Sequence, residues 1–214
     1  MLRGRDIKRY SFEFADKWLI CATKDIVNTD IPNRYSAICR HLERYKGKGK
    51  LGDNSTTKVF NRPWWSLMQE PTGYWDDFSR EKMMYPNMTK FLPFYLDNKG
   101  YMQNDKSFMI TGKTLAYLTA FLNSSLFKYC FIDNFPELQG GTREIRKIFL
   151  SKIPVLQVSE ETNQKFKNLV NEIQLKKENA EFTRDCELKI DELIFDLYNL
   201  TELERKEIGF IEIL

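Results

Sequence analysis

From Ser159 to Gly209 the chain runs without an internal glycine or proline. Those two residues are the strongest local punctuators of regular structure, so an uninterrupted stretch of this length reads as helix. Ser159 is a good N-cap, with Glu160 and Glu161 in the first turn where the helix dipole favours them. Phe166, Leu169, Val170 and Ile173 fall on one apolar face, and Leu188, Ile190, Ile194, Leu197 and Tyr198 on another. Thr201 and Glu204 have capping-box spacing, which starts a short last helix. Residues 157–214 are therefore expected to be a helical region.

The preceding part has a different texture. Tyr10, Phe12 and Phe14 alternate with polar positions, a strand period. Tyr35, Ile38, Leu42 and Tyr45 recur at helical spacing after Pro32, and Lys46-Gly47-Lys48-Gly49-Lys50 ends that helix in what reads as a mobile basic loop. Lys82-Met83-Met84-Tyr85, Phe91 to Leu96 and Ser107 to Ile110 read as strands, and Asp97-Asn98-Lys99-Gly100 reads as a hairpin turn joining Leu96 to Tyr101. Leu115, Leu118, Leu122 and Leu126 form the stripe of a core helix. The Gly140-Gly141 pair marks a loop, followed by Arg143, Arg146 and Lys147. The expected fold class is α+β: a mixed domain over 1–156, then the helical region over 157–214.

Charge separates the same two parts. Residues 1–62 carry 14 Lys and Arg against 7 Asp and Glu, whereas residues 159–214 carry 8 against 14. A basic front suits a polyanion such as nucleic acid. The 42% hydrophobic and 14% aromatic content supports a sizeable core. No apolar run approaches the roughly 18 residues of a membrane span. The start lacks a signal-peptide apolar segment, and the four cysteines are scattered without a CxxC pair. A cytoplasmic protein with reduced thiols is expected. The only histidine, His41, has Cys39 nearby but no second ligand pair, so no zinc site is expected.

Most catalytic signatures are missing. There is no P-loop, no Gly-x-Gly-x-x-Gly and no Gly-x-Ser-x-Gly. A methyltransferase would need an Asn/Asp-Pro-Pro-aromatic segment, and the chain has no Pro-Pro pair. One acid set remains: Asp77 (or Asp76) with Asp97-x-Lys99, the acid-x-Lys pattern of Mg²⁺-dependent nucleases, in which two carboxylates hold the metal and Lys99 assists the attacking water. A structural turn explains the same residues. A third alternative is a protein-interaction adaptor working through the acidic helices.

Several segments taken in order resemble one known family. They are Gly4-Arg5-Asp6-Ile7-Lys8-Arg9-Tyr10; Trp18-Leu19-Ile20; Ile31-Pro32-Asn33 with His41-Leu42; Arg62-Pro63-Trp64-Trp65-Ser66-Leu67; Lys82 to Pro86; Leu115-Ala116-Tyr117-Leu118-Thr119-Ala120-Phe121-Leu122-Asn123-Ser124; Ile153-Pro154-Val155; and Glu187 to Tyr198. The pattern resembles the C-terminal specificity, or target-recognition, domain of TaqI-like Type II restriction–modification enzymes, also found in some adenine-specific DNA methyltransferases. The resemblance implies a non-catalytic domain that reads a short duplex-DNA site for a methyltransferase or endonuclease, in cis or in trans. It implies no cofactor in this chain, S-adenosylmethionine and Mg²⁺ belonging to the catalytic part.

The residues expected to face DNA follow from charge and position. Lys8 and Arg9 are backbone contacts, with Arg5 either a contact or an internal partner of Asp6. Arg34, Arg40 and Arg44 lie off the apolar stripe of their helix and share a sign that favours phosphate. Lys46, Lys48 and Lys50 suit phosphate contact on a Gly-spaced loop. Arg62 is a candidate for the groove, and Trp64, like Trp65, either stacks on a base or fills the core, the commoner fate for at least one of two neighbours. Arg143, Arg146 and Lys147 follow the glycine pair, and Arg143 and Arg146 are the best candidates for bidentate reading of guanine, the alternative being that both pair with acids such as Glu137 or Glu144.

Overall fold

The structure is a computed structural model that describes residues 1–22, 34–45, 73–90 and 92–210. The chain forms two compact units, Met1–Lys17 with Asp76–Leu214, and Trp18–Trp75. The fold is α+β.

In the larger unit the strands are short. β1 (Ile7–Lys8) and β2 (Ser11–Phe12) form a hairpin. β3 (Lys82–Pro86) is the centre of an antiparallel sheet, flanked by β5 (Tyr95–Asp97) and β6 (Ser107–Ile110). β4 (Met88–Thr89) pairs with β7 (Arg143–Glu144) in a separate ribbon. Two expectations change here. Tyr10 does not continue a strand with Phe12; it sits in the β1–β2 turn at φ 56°. A two-residue hairpin loop requires positive φ, and Tyr10 accepts it because its ring is fully buried and its N–H donates to Phe94 O at 3.1 Å. Asp97-Asn98-Lys99-Gly100 does turn the chain, but β5 pairs back to β3 rather than to a strand after Tyr101. The turn is built by the Asp97 carboxylate, which accepts from Lys99 N at 3.0 Å and Tyr101 N at 2.9 Å.

The expected core helix breaks in two. α2 (Leu115–Leu122) ends at Asn123, Ser124 caps α3 (Ser125–Phe131) by accepting from Phe127 N at 3.1 Å, and a four-residue helix, α4 (Lys147–Leu150), follows β7. α2 is buried on nearly every side because it packs both on the sheet and on α5 (Glu160–Glu178). The apolar faces read from the sequence are the buried ones. Phe166, Val170 and Ile173 of α5, with Ile190 and Ile194 of α6 (Arg184–Leu197), join Tyr117, Phe121 and Phe127 in one core. Ser159 caps α5, and Thr201 with Glu204 forms the capping box of α7 (Glu202–Ile208). The helical region thus begins where its sequence texture changes, yet shares its core with the sheet.

Among the described residues of the smaller unit, α1 (Ser36–Glu43) turns Tyr35, Ile38 and Leu42 toward Leu19, Ile20 and Ala22. Arg34, Arg40 and Arg44 are exposed. No helix among the described residues is long and apolar enough to cross a membrane.

Candidate nucleic-acid interface

The N-terminal segment is held in place by close backbone contacts. Leu2 N donates to Met102 O at 2.8 Å, and Gly4 N to Asn104 Oδ1 at 3.2 Å. A Cβ on Gly4 would stand 2.2 Å from Lys106 O, so only glycine fits. Asp6 accepts from Arg3 N at 2.9 Å and Arg3 Nη2 at 2.7 Å. Those bonds hold its carboxyl below the ordinary carboxylate range. The partner of Asp6 is therefore Arg3, and Arg5 is left exposed.

Arg9 departs from its expected role as a DNA contact. Its side chain is 10% exposed, and its guanidinium pairs through Nη1 with Glu187 of α6 and donates from Nη2 to Asn123 O at 2.7 Å. Glu187 also accepts from Thr183 Oγ1 at 2.6 Å. One turn further along α6, Asp191 accepts from Ser125 N at 2.9 Å and from the Ser125 hydroxyl. Burial pushes the Asp191 carboxyl above its ordinary value and the Arg9 guanidinium below its own. Asn123 completes the arrangement, its Nδ2 donating to Phe94 O at 2.8 Å and its Oδ1 accepting from Phe94 N at 3.2 Å. The Asn123-Ser124 pair and the Glu187–Asp191 stretch, both singled out in the sequence, are thus one buried clasp. It ties the β1–β2 hairpin to the α2–α3 break and to α6.

Beside this clasp lies an open groove of about 480 Å³, lined by Arg5, Lys8, Arg9, Thr89, Pro93 and Lys177 among others. Among the described residues, none that lines it is acidic. Lys8 is exposed, 3.6 Å from the still more exposed Glu13, a pairing worth little in water. Met88 and Thr89 on the groove wall belong to β4, and the ladder sets Thr89 opposite Arg143 and Met88 opposite Glu144. The Arg143 strand is thus one ladder step from the groove. It follows Gly140 and Gly141, whose φ values of 74° and 75° make the turn that glycine permits. Lys90 Nζ lies 3.9 Å from where a Gly140 Cβ would stand, adding a cation to this edge.

The other expected contacts are distributed unevenly. Arg143 donates to Phe135 O at 2.9 Å and pairs with Asp133 at 2.8 Å and Glu137 at 3.3 Å. Arg146 pairs with Glu144 at 2.7 Å and is 61% exposed. Lys147 lines a different cavity, an apolar one of about 460 Å³ with Tyr85, Phe108, Leu118 and Leu150, and not the basic groove. Arg34, Arg40 and Arg44 are on or beside α1 in the smaller unit. Lys46, Lys48, Lys50, Arg62 and Trp64 lie outside the described residues.

The acid set is not assembled as a metal site. Asp97 is fully buried and paired with Lys82, Lys99 pairs with Glu178, and Asp77 pairs with Arg80 at 3.2 Å. Among the described residues no group of three or more His, Cys, Asp or Glu side chains is placed to hold a metal ion. The turn reading of Asp97-x-Lys99 is the correct one, because the carboxylate is used up by Lys82 and by two backbone N–H groups.

A scan against protein-family models matches residues 1–155 to the TaqI-like C-terminal specificity domain. The chain belongs to that family. No curated protein matches the chain. The specificity-domain match supports a DNA-recognition role in restriction–modification enzymes, and it covers Arg5, Lys8, Thr89 and Arg143. It ends before α5, so Lys177 and Glu187 are outside it. Lys177 carried no sequence signal, since one lysine on a charged helix face looks like any other. Glu187 was visible only as part of the tail motif, without its partner.

Proposed function

We propose that this chain reads a short duplex-DNA site for a restriction–modification enzyme, is itself non-catalytic, and directs a methyltransferase or endonuclease part to that site. The observation that carries the reading is the basic groove of Arg5 and Lys8 within a specificity domain, one ladder step from Arg143. Phosphates neutralise the cations of such a groove and set the register, while a residue on the adjoining ribbon reaches base edges. Arg143 and Arg146 are the readers in this proposal. Arg146 must exchange only the Glu144 carboxylate for DNA, at a cost of about 1 kcal/mol or less, whereas Arg143 must also give up its hydrogen bond to the Phe135 carbonyl. Arg5 and Lys8 contact phosphate, as do Arg34, Arg40 and Arg44 of the α1 segment. S-adenosylmethionine and Mg²⁺ belong to the catalytic partner, which is joined in cis or acts in trans.

The test is binding of a short labelled duplex at low salt, followed as the salt is raised. A specificity domain binds, with log affinity falling steeply against log salt. A protein-interaction adaptor shows no binding, which would refute the proposal. Mg²⁺-dependent nicking of supercoiled plasmid by the pure chain would refute its non-catalytic part.

A further inference from the structure

The basic groove is not closed by the family segment alone. Its lining includes Lys177 from the last turn of α5, beyond residue 155. This position is not left to chance packing. Glu187 on α6 pairs with Arg9 of the β1–β2 hairpin, and Glu187 Oε1 is also 3.9 Å from Lys177 Nζ. One carboxylate therefore sets α5, α6 and the hairpin that carries Lys8 in register.

Glu187 pairs closely with Arg9, and at 3.9 Å, the outer limit of an ion pair, it holds the Lys177 ammonium only loosely. Its side chain is 29% exposed, and it lines the basic groove together with Arg5 and Lys8. We infer that Lys177 binds a DNA phosphate in this groove, so that the DNA-binding surface of the chain extends from the family segment onto the C-terminal helices. Partial burial, together with the nearby Arg9 charge, disfavours the Lys177 ammonium in the free protein. An arriving phosphate counteracts that penalty, because an opposite charge in contact favours the charged form.

The inference rests on the DNA-recognition reading, and the experiment separates the two. The full chain, wild type and Lys177→Gln, is titrated with a labelled duplex of arbitrary sequence over a range of salt. Lys165→Gln is the control, since Lys165 is on the same helix but paired with Glu161 away from the groove. The expected result is a log–log slope shallower by about 0.9 for Lys177→Gln, because one phosphate fewer is neutralised. The Lys165→Gln slope stays that of wild type. A slope for Lys177→Gln equal to wild type overturns the Lys177 contact and leaves the DNA reading standing. Absence of duplex binding by the wild type overturns both. Should Lys177→Gln fail to fold, acetylation of the wild-type chain decides: bound duplex protects Lys177 but not Lys165, and equal labelling of Lys177 with and without duplex overturns the inference.

Discussion

Replacing Asp97 by alanine is expected to destabilise the fold severely. The carboxylate is fully buried and accepts from the equally buried Lys82 ammonium, from Lys99 N and from Tyr101 N. Without it, Lys82 Nζ retains, among the described residues, only the Phe78 carbonyl at 2.7 Å. The two turn N–H groups are only part-buried, so water replaces much of their hydrogen bonding. The stranded ammonium dominates, and removing one partner of a buried ion pair costs about 3–5 kcal/mol. That is a large share of the roughly 5–15 kcal/mol that holds a domain together. For a chain of this size the melting midpoint should fall by about 6–20 °C. The assay is urea or thermal unfolding followed by far-UV circular dichroism, which reports the helices packed on this sheet. Tryptophan emission is the wrong probe, because all four tryptophans fall within the other unit. The double change Lys82→Met with Asp97→Leu should restore most of the stability, since it strands no charge. A loss below about 1 kcal/mol for Asp97→Ala would refute the argument, because burial of an unmatched ammonium cannot be that cheap. A fully stable Asp97→Ala that had lost Mg²⁺-dependent cleavage would instead return the acid set to a catalytic role.

Three further outcomes are expected. In competition across randomised sites, with the chain joined to its catalytic partner, Arg143→Ala should relax preference at one base position by about 1–3 kcal/mol; equal weakening of every site would make Arg143 a phosphate clamp. Replacing Lys46, Lys48 and Lys50 together by alanine should flatten the salt slope by about 0.9 for each phosphate no longer neutralised, without changing sequence preference; an unchanged slope would mean these lysines do not touch DNA. Asp6 has a folded-state value held below its ordinary 3.8 by Arg3, so its contribution to stability is present above that pH and is lost as the pH falls through the folded value. Melts taken across acid pH should therefore show Asp6→Asn losing less stability than wild type over that window, and parallel profiles would contradict the role given to the Arg3 bonds.

The sequence by itself determined the elements whose signal is local. Capping residues, apolar periodicity and the absence of glycine and proline place α5, α6 and α7 because each helix satisfies its own backbone and must bury one face. The same logic located β3 and β6, α1 and the Asp97 turn. A charge count over residues 1–62 pointed to a polyanion partner, since net charge is a property of composition. Tertiary structure decided what depends on partners distant in sequence. Arg9 reads as one more basic residue of a basic segment, yet Glu187, 178 positions away, makes it a buried clasp. Asp97 and Lys99 read as an acid-x-Lys pair until cross-strand pairing sets Lys82 against Asp97. Lys177 becomes part of a groove only because α5 folds back against the N-terminal hairpin. Charge is written in the sequence, but whether a charge faces solvent, DNA or an internal counter-charge is set by long-range packing, and no local pattern encodes it.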